Sequence, residues 1–388
     1  MRGSAKWEYV IVMRKRYQSA GRVEKGLILD ELIKNKIVGH RKSAIRLMDE
    51  FGSQGQISKR GRKVIYNEFT VSHLRKLWVQ MGQMCSKRMK AAFPKWLPYY
   101  EVPDTTKVLL TNMASSTIDR LLKPYRSIWR RRNNTGTKMG YPNIKTMIPI
   151  RPFNFNIEEP GYMECDTVAH CGGSMEGLFA WTLTMTDVDS GWTECRAMWG
   201  KSGKGVTESF ETIEQGLWFK VKTRFVDNGN EFLNKQVLLW LKSKGVDPKD
   251  HLKRGRPYRS NDQCHVEQKN FTHVRELFGY ERIENKEVIE LMNDLYSQEW
   301  SLLQNYFCPQ VKLLRKTRIG SKYKREHTKP ITPYDRLMVS KHITEEDKTK
   351  MKATYDTLNP FVLRENVQKK LKVVYELISK PIDSGVSA

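Results

Sequence analysis

The hydrophobic period of the chain changes near Gly161, and nothing else in the sequence constrains the fold as tightly. Before that point apolar residues recur at helical spacing, as in Leu27, Ile28, Leu32 and Ile33, in Val71, Leu74 and Trp78, and in Ile118, Leu121 and Leu122. After it, Tyr162–Ala169, Leu178–Val188 and Trp192–Trp199 read as three consecutive strands with turns at Gly172-Gly173 and Asp189-Ser190-Gly191. Val206–Leu217 then reads as a helix, Val221–Val226 as a strand and Phe232–Lys244 as a helix. A short strand within Val246–Leu252 and a helix over Asp262–Leu277 complete the series. This order predicts an α/β domain, a mixed five-stranded sheet with helices packed against it.

The flanks divide the 388 residues further. Residues 1–135 carry three short-helix, turn, short-helix signals. They break at Gly39, at Gly82 and before Ser115 or Ser116, either of which is suited to cap the helix that Pro124 ends or kinks. Such pairs are the geometry of a helix-turn-helix, which lays its second helix in a major groove. Residues 136–160 read as a linker punctuated by Pro142, Pro149, Pro152 and Pro160, and residues 161–280 as the core. Residues 281–388 hold a helix over Asn285–Asn305, a basic run Lys312–Lys329 read as poor in strand, and helices over Lys348–Leu358 and Glu365–Leu377.

Charge follows the same division. Residues 1–160 carry 32 Lys and Arg against 12 Asp and Glu, residues 161–280 carry 16 against 16, and residues 281–388 carry 20 against 15. A neutral core between basic arms, with a formal net charge of +25, predicts a polyanionic partner. No run approaches the 18 or so apolar residues of a membrane span, and no secretory signal is present. The six cysteines show no framework spacing and read as reduced thiols of a cytoplasmic protein. Cys165, His170 and Cys171 do not have the spacing of a zinc knuckle.

Three carboxylates within the core stand in three different settings. Asp166 interrupts the apolar run YMECDTVAH, where a charged aspartate is unfavourable unless paired or metal-bound. Asp227 ends the strand VKTRFVD and opens the turn DNGNEF, and Glu267 lies on the helix HVEQKNFTHVREL. Carboxylates shared between two divalent ions are what in-line phosphoryl transfer requires, and all-oxygen ligands suit Mg²⁺. The lead-in RGRPYRSNDQCH adds Arg254, Arg256, Tyr258 and Arg259, arginines for phosphates and a tyrosine able to stack on a base. Asn228 is placed to orient a phosphate or water, and His265 and Lys269 flank Glu267 as candidate DNA contacts. Arg41, Lys42, Arg46 and Arg120 are the corresponding candidates on the amino-terminal helices.

The blocks MECDTVAHCGG, TRFVDNGNEF and GRPYRSNDQCHVEQKNFTHVRELFGY together resemble the integrase-type catalytic core of bacterial insertion-sequence transposases. HRKSAIRL and SSTIDRLLKP resemble the recognition segments that precede such cores, and NYFCPQVKLLRKTRIGSKYKREHTKPITPYDRL their basic post-core region. The resemblance implies an RNase H-like fold and a DDE triad on Asp166, Asp227 and Glu267 holding two Mg²⁺, with Mn²⁺ able to substitute. The gap between the second and third acids is somewhat longer than usual for the family. It also implies nicking of 3′ ends at terminal inverted repeats in double-stranded DNA, then attack of the freed hydroxyl on target DNA. Two element ends require at least a dimer on DNA, in a nucleoid-associated protein of the bacterial cytoplasm. The alternatives are a nuclease of the same core that cuts without joining, and a catalytically silent DNA-binding regulator.

Overall fold

A computed structural model describes residues 3–49, 65–128, 148–150, 157–256 and 264–379. The chain forms two compact units, Met1–Ile65 and Tyr66–Ala388. In the first, α1 (Gly3–Ser19), α2 (Arg22–Lys34) and α3 (Arg41–Asp49) close on a small core that includes Val10, Met13, Ile28, Leu32, Ala44 and Met48. The turn between α2 and α3 needs a left-handed residue, and Lys36 supplies it at φ 54°.

The second unit opens with α4 (Glu68–Gln80), α5 (Ser86–Trp96), α6 (Asp104–Asn112) and α7 (Ser115–Leu122). Asn67 caps α4 by accepting from Thr70 N at 2.9 Å. The cap expected of Ser115 or Ser116 is not made: both lie inside α7, and Ala114 precedes the helix without a side-chain bond. Beyond Leu122 the chain tightens to a 3₁₀ turn, Lys123–Ile128, which accommodates Pro124. These four helices, read from sequence with the amino-terminal region, belong to the same unit as the sheet. Trp96 is fully buried, donates from Nε1 to Phe307 O at 3.1 Å and meets Phe361 edge to face.

The sheet is mixed and five-stranded, in the order β3-β2-β1-β4-β5. β1 (Tyr162–Ala169), β2 (Ala180–Asp187) and β3 (Thr193–Trp199) form an antiparallel meander. β4 (Thr223–Val226) and β5 (Leu252–Arg254) add in parallel on the other side of β1. Helices α8 (Gly203–Gln215) and α9 (Lys235–Ser243), capped by Ser202 and Asn234, cover one face through Met163, Cys165, Leu183, Phe210 and Val237. A single turn, α10 (Pro248–His251), occupies most of the stretch in which a strand was expected, and β5 starts only at its end.

The opposite face is covered by a helix of three parts: α11 (Cys264–Lys269), a π-helical turn Asn270–Arg275, and α12 (Glu276–Phe278). α13 (Val288–Leu295) follows and continues through π-helical turns to Phe307. Val168, Cys195, Ala197, Val274, Phe278, Met292 and Tyr296 pack there in one cluster with the core of α4–α7. The expectation of a strand-poor run after Phe307 is corrected. β6 (Leu313–Ile319) and β7 (Lys322–His327) form an antiparallel hairpin, with Gly320 at φ +59° in its turn. The β-branched Thr317 and Ile319 suit strand pairing, and β7 is exposed along its length. The chain then enters α14 (Pro333–Val339), α15 (Glu345–Thr357) and α16 (Pro360–Ser379). No described helix is long and apolar enough to cross a membrane.

Candidate active site

The parallel pairing of β1 and β4 places two of the three acids together. Cys165 pairs with Val226, and Asp166 and Asp227 are the next residue on each strand. Each carboxylate is held locally: Thr167 N donates to Asp166 Oδ1 at 2.7 Å, and Gly229 N donates to Asp227 Oδ1 at 2.8 Å. Asn270, the first residue of the π-helical turn, donates from Nδ2 to Asp166 Oδ2 at 2.6 Å. π-helical turns recur at functional sites, and here the wide turn begins at the residue that reaches across to the sheet.

Electrostatics tie the pair together. The carboxyl of Asp166 is pushed up to about 7, first by burial and then by the neighbouring charge of Asp227; the bonds from Thr167 and Asn270 oppose the shift, and Glu231 adds to it. Asp166 keeps part of its surface open to solvent, which moderates the burial contribution.

Glu231 is a further acid that the sequence reading did not single out. Its side chain is 1% exposed, its Oε1 takes Thr167 Oγ1 at 2.9 Å and Lys201 Nζ at 2.9 Å, and its Oε2 has no hydrogen-bond partner. The glycine of the DNG turn serves this acid, because a Cβ on Gly229 would collide with the Glu231 carboxylate. The signal was present in the DNGNEF block: an acid four residues after Asp227, returned to it by a glycine turn.

Glu267 stands one turn before Asn270 on the same helix and is exposed. Its carboxyl is raised first by burial and then by Glu164, with no contribution resolved from Asp166 or Asp227. Among the described residues no group of three His, Cys, Asp or Glu side chains stands ready to hold a metal ion. Glu164 has a separate task. Fully buried on β1, it accepts from His265 N at 2.9 Å, Val266 N at 3.0 Å and His265 Nδ1 at 2.9 Å, so a strand residue caps the start of α11. Glu164 and Asp166 alternate onto one face of β1, and that face fixes both the start of α11 and its π-helical turn.

The remaining candidates fall in several places. Asn228 is occupied at both ends, donating to Gly255 O at 3.0 Å and accepting from Arg254 Nη1 at 3.2 Å. Arg254 also donates to Ile148 O at 2.9 Å, so this pair fastens the Asp227 turn to β5. Arg256 is exposed, and Tyr258 and Arg259 lie outside the described residues. His265 is half-buried against Glu164, and Lys269 is 8% exposed, sealed behind the helix and not presented on its surface. Arg41, Lys42, Arg46 and Arg120 are all exposed, Arg41 in an ion pair with Asp30. His170 is a core residue, donating or accepting with Thr182 Oγ1 at 2.8 Å and lowered to about 3 by burial. The five cysteines described in full are free.

Fold and site together define an α/β protein with two neighbouring aspartates on adjacent parallel strands, one within β1 and the other just past the end of β4. The chain is 33% identical over 339 residues to the uncharacterized protein y4rM of Sinorhizobium fredii (strain NBRC 101917 / NGR234), an alignment spanning 85% of this chain and 94% of that protein. It belongs to the same family as y4rM. No family model matches the chain. Among solved structures, the catalytic core domain of BIV integrase matches 45% of this chain and 91% of its own, at 15% identity and a TM-score of 0.27, a likeness too slight to carry an assignment.

Proposed function

We propose that this protein is an integrase-type DNA transposase with an RNase H-like core. The observation that carries the reading is the adjacency of Asp166 and Asp227, where burial and then the neighbouring charge push one carboxyl up to about 7. Perturbed carboxylates of this kind mark functional sites more often than structural ones. The mixed sheet in the order β3-β2-β1-β4-β5 and the exposed basic hairpin β6–β7 support it, as does the basic excess of residues 1–160. The exposed arginines and lysine of α3 and α7 are available to terminal repeats, and the hairpin to phosphates.

The donor set fits a divalent cation. Two carboxylates that repel each other, one fixed by Asn270 and the other by Gly229 N, offer the oxygen ligands Mg²⁺ prefers, and Mn²⁺ would be accepted in its place. Bound there, the ion would neutralise the pair and supply Lewis-acid activation for phosphoryl transfer. Asp166 and Asp227 would hold it. Glu267, one turn from Asn270 and exposed, is the proposed ligand of a second ion once DNA fills the site. Lys201 and Thr167 hold Glu231 in place behind the pair. Water would serve as nucleophile for nicking at the 3′ end, and the freed 3′-hydroxyl for joining. Coordinated work on two element ends requires at least a dimer on DNA.

The test is to incubate the protein with Mg²⁺ or Mn²⁺ and DNA carrying the sequences that flank its gene, mapping 3′ ends and joined products. Nicking and joining that vanish in Asp166→Asn, Asp227→Asn and Glu267→Gln are expected. Nicking without joining would indicate a nuclease. Sequence-specific binding with neither product would indicate a silent regulator, a reading favoured by the separation of Glu267 from the aspartate pair.

A further inference from the structure

Behind α11, away from the aspartate pair, lies a cavity of about 60 Å³ whose lining includes Arg88, Lys269, His273, Gln310, Lys312 and Arg336. It is not lined by Asp166, Asp227 or Glu231. Basic side chains reach it from α5, from α11, from the segment before β6 and from α14, and the π-helical turn adds His273, which burial and then Lys269 and Arg88 hold neutral. Nearby acids are already engaged. Asp189 is paired with Lys312 at 3.1 Å, and Asp335 with Lys95 at 2.9 Å. Among the described residues Lys269 finds only the neutral Gln310 Oε1 as a bonded partner.

Two buried polar atoms at this cavity have no hydrogen-bond partner among the described residues. His273 is 2% exposed; its Nδ1 is engaged by Thr272 Oγ1 at 2.9 Å, while its Nε2 is unpaired. Gln310 is 9% exposed, and its Nε2 is likewise unpaired. The frame around them is rigid: Arg336 donates to Ser190 O at 2.9 Å and Gln310 O at 2.6 Å, and Arg88 donates to Pro309 O at 2.6 Å. Gly191, at φ +75°, keeps the wall open, since a Cβ there would lie 2.8 Å from Gln310 Oε1 and 3.1 Å from Arg336 Nη1. A buried lysine amine with no counter-ion among the described residues, held well below the usual lysine range by burial and by Arg88 and Arg336, and two unsatisfied polar atoms are each unfavourable. An oxyanion would answer all three. The space suits one: a water centre needs roughly 10–15 Å³, so the cavity has room for about four to six oxygen-sized atoms.

We propose that this cavity binds a phosphate group, with Lys269 as its buried cation and His273 and Gln310 as neutral partners. The group would come either from free inorganic phosphate or from the backbone of bound DNA, and the site does not depend on the chemistry of the aspartate pair. The test is calorimetric titration of the full chain with sodium phosphate against sodium chloride at matched ionic strength. Saturable phosphate binding is expected, weakened at least tenfold in Lys269→Met and in Gln310→Glu, the latter placing a fixed carboxylate beside Lys269. Lys372→Ala, exposed on α16, should bind phosphate as the parent does. Gln310→Glu should also melt higher than the parent without phosphate, so the two variants do not share one route to failure. A parallel titration with duplex DNA separates the sources. Competition by inorganic phosphate together with weaker DNA binding in Lys269→Met assigns the site to the DNA backbone; unchanged DNA binding assigns it to free phosphate. Absence of saturable phosphate binding in the parent, or parental affinity in both folded variants, would overturn the proposal.

Discussion

Asp166 shows how one residue can carry both a function and a stability liability. Its folded pKa, about 7, lies above the ordinary 3.8, so the folded state holds its proton where the unfolded chain has released it. Between those values the folded state binds more protons, and stability therefore falls as pH rises from about 4 to 7. Asp166→Asn should remove that slope and raise stability at pH 8 by about 1–3 kcal/mol, after discounting for solvent access to the carboxylate. Urea unfolding at pH 5 and pH 8 checks this, and a less stable variant at pH 8 would refute the coupling. Glu164, two residues earlier, behaves oppositely. Its carboxylate satisfies three donors at the start of α11, and Glu164→Ala should lose about 2–4 kcal/mol by leaving them buried and unpaired. Glu164→Gln, which keeps an acceptor, should lose less in the same denaturation series. From sequence, Asp166 was conspicuous as an acid in an apolar strand, whereas Glu164 in the same run passed as its neighbour. What separates them is which donor on α11 each one meets.

At the scale of elements, the β6–β7 hairpin was hidden by its own charge. Strand patterning is read from apolar alternation, and here lysine and arginine occupy nearly half of the positions and neither face is buried. Such a ribbon binds by charge. Replacing Arg315, Lys322, Lys324 and Arg325 with Gln should leave stability within about 0.5 kcal/mol. It should also lower the salt-dependence slope of DNA binding by roughly 0.9 for each phosphate that the hairpin no longer neutralises. Fluorescence anisotropy over a range of salt measures that slope, and an unchanged value would remove the hairpin from the DNA surface. The α2–α3 turn offers an independent check. Lys36 holds φ 54°, a conformation that glycine adopts without steric penalty, so Lys36→Gly should stabilise the first unit by about 0.5–1 kcal/mol in thermal unfolding.

For the whole molecule, separate cores imply separable stabilities. Trp96→Ala should cost about 3–5 kcal/mol in the unit Tyr66–Ala388, and Leu32→Ala about 2–5 kcal/mol in the unit Met1–Ile65. Hydrogen exchange should show each loss confined to amides of its own unit, and spreading of either loss across both would contradict the division. The sequence by itself determined the α/β core, since Tyr162–Ala169 alternates as a strand and is one, and it marked Asp166 inside that strand and Asp227 at the end of another. It also set the separation of basic arms from a neutral core. These are properties of local periodicity and composition, which the chain carries wherever it folds. Only the tertiary structure decided that α4–α7 pack with the sheet, that Glu231 stands behind the aspartates, and that Asn270 is the helix residue that bonds Asp166. It alone turned Lys269 inward, toward a cavity shared with Gln310. Each of those depends on residues tens to hundreds of positions apart meeting in space. Such meetings are set by which faces of the sheet and helices find one another to bury, and no local pattern records them.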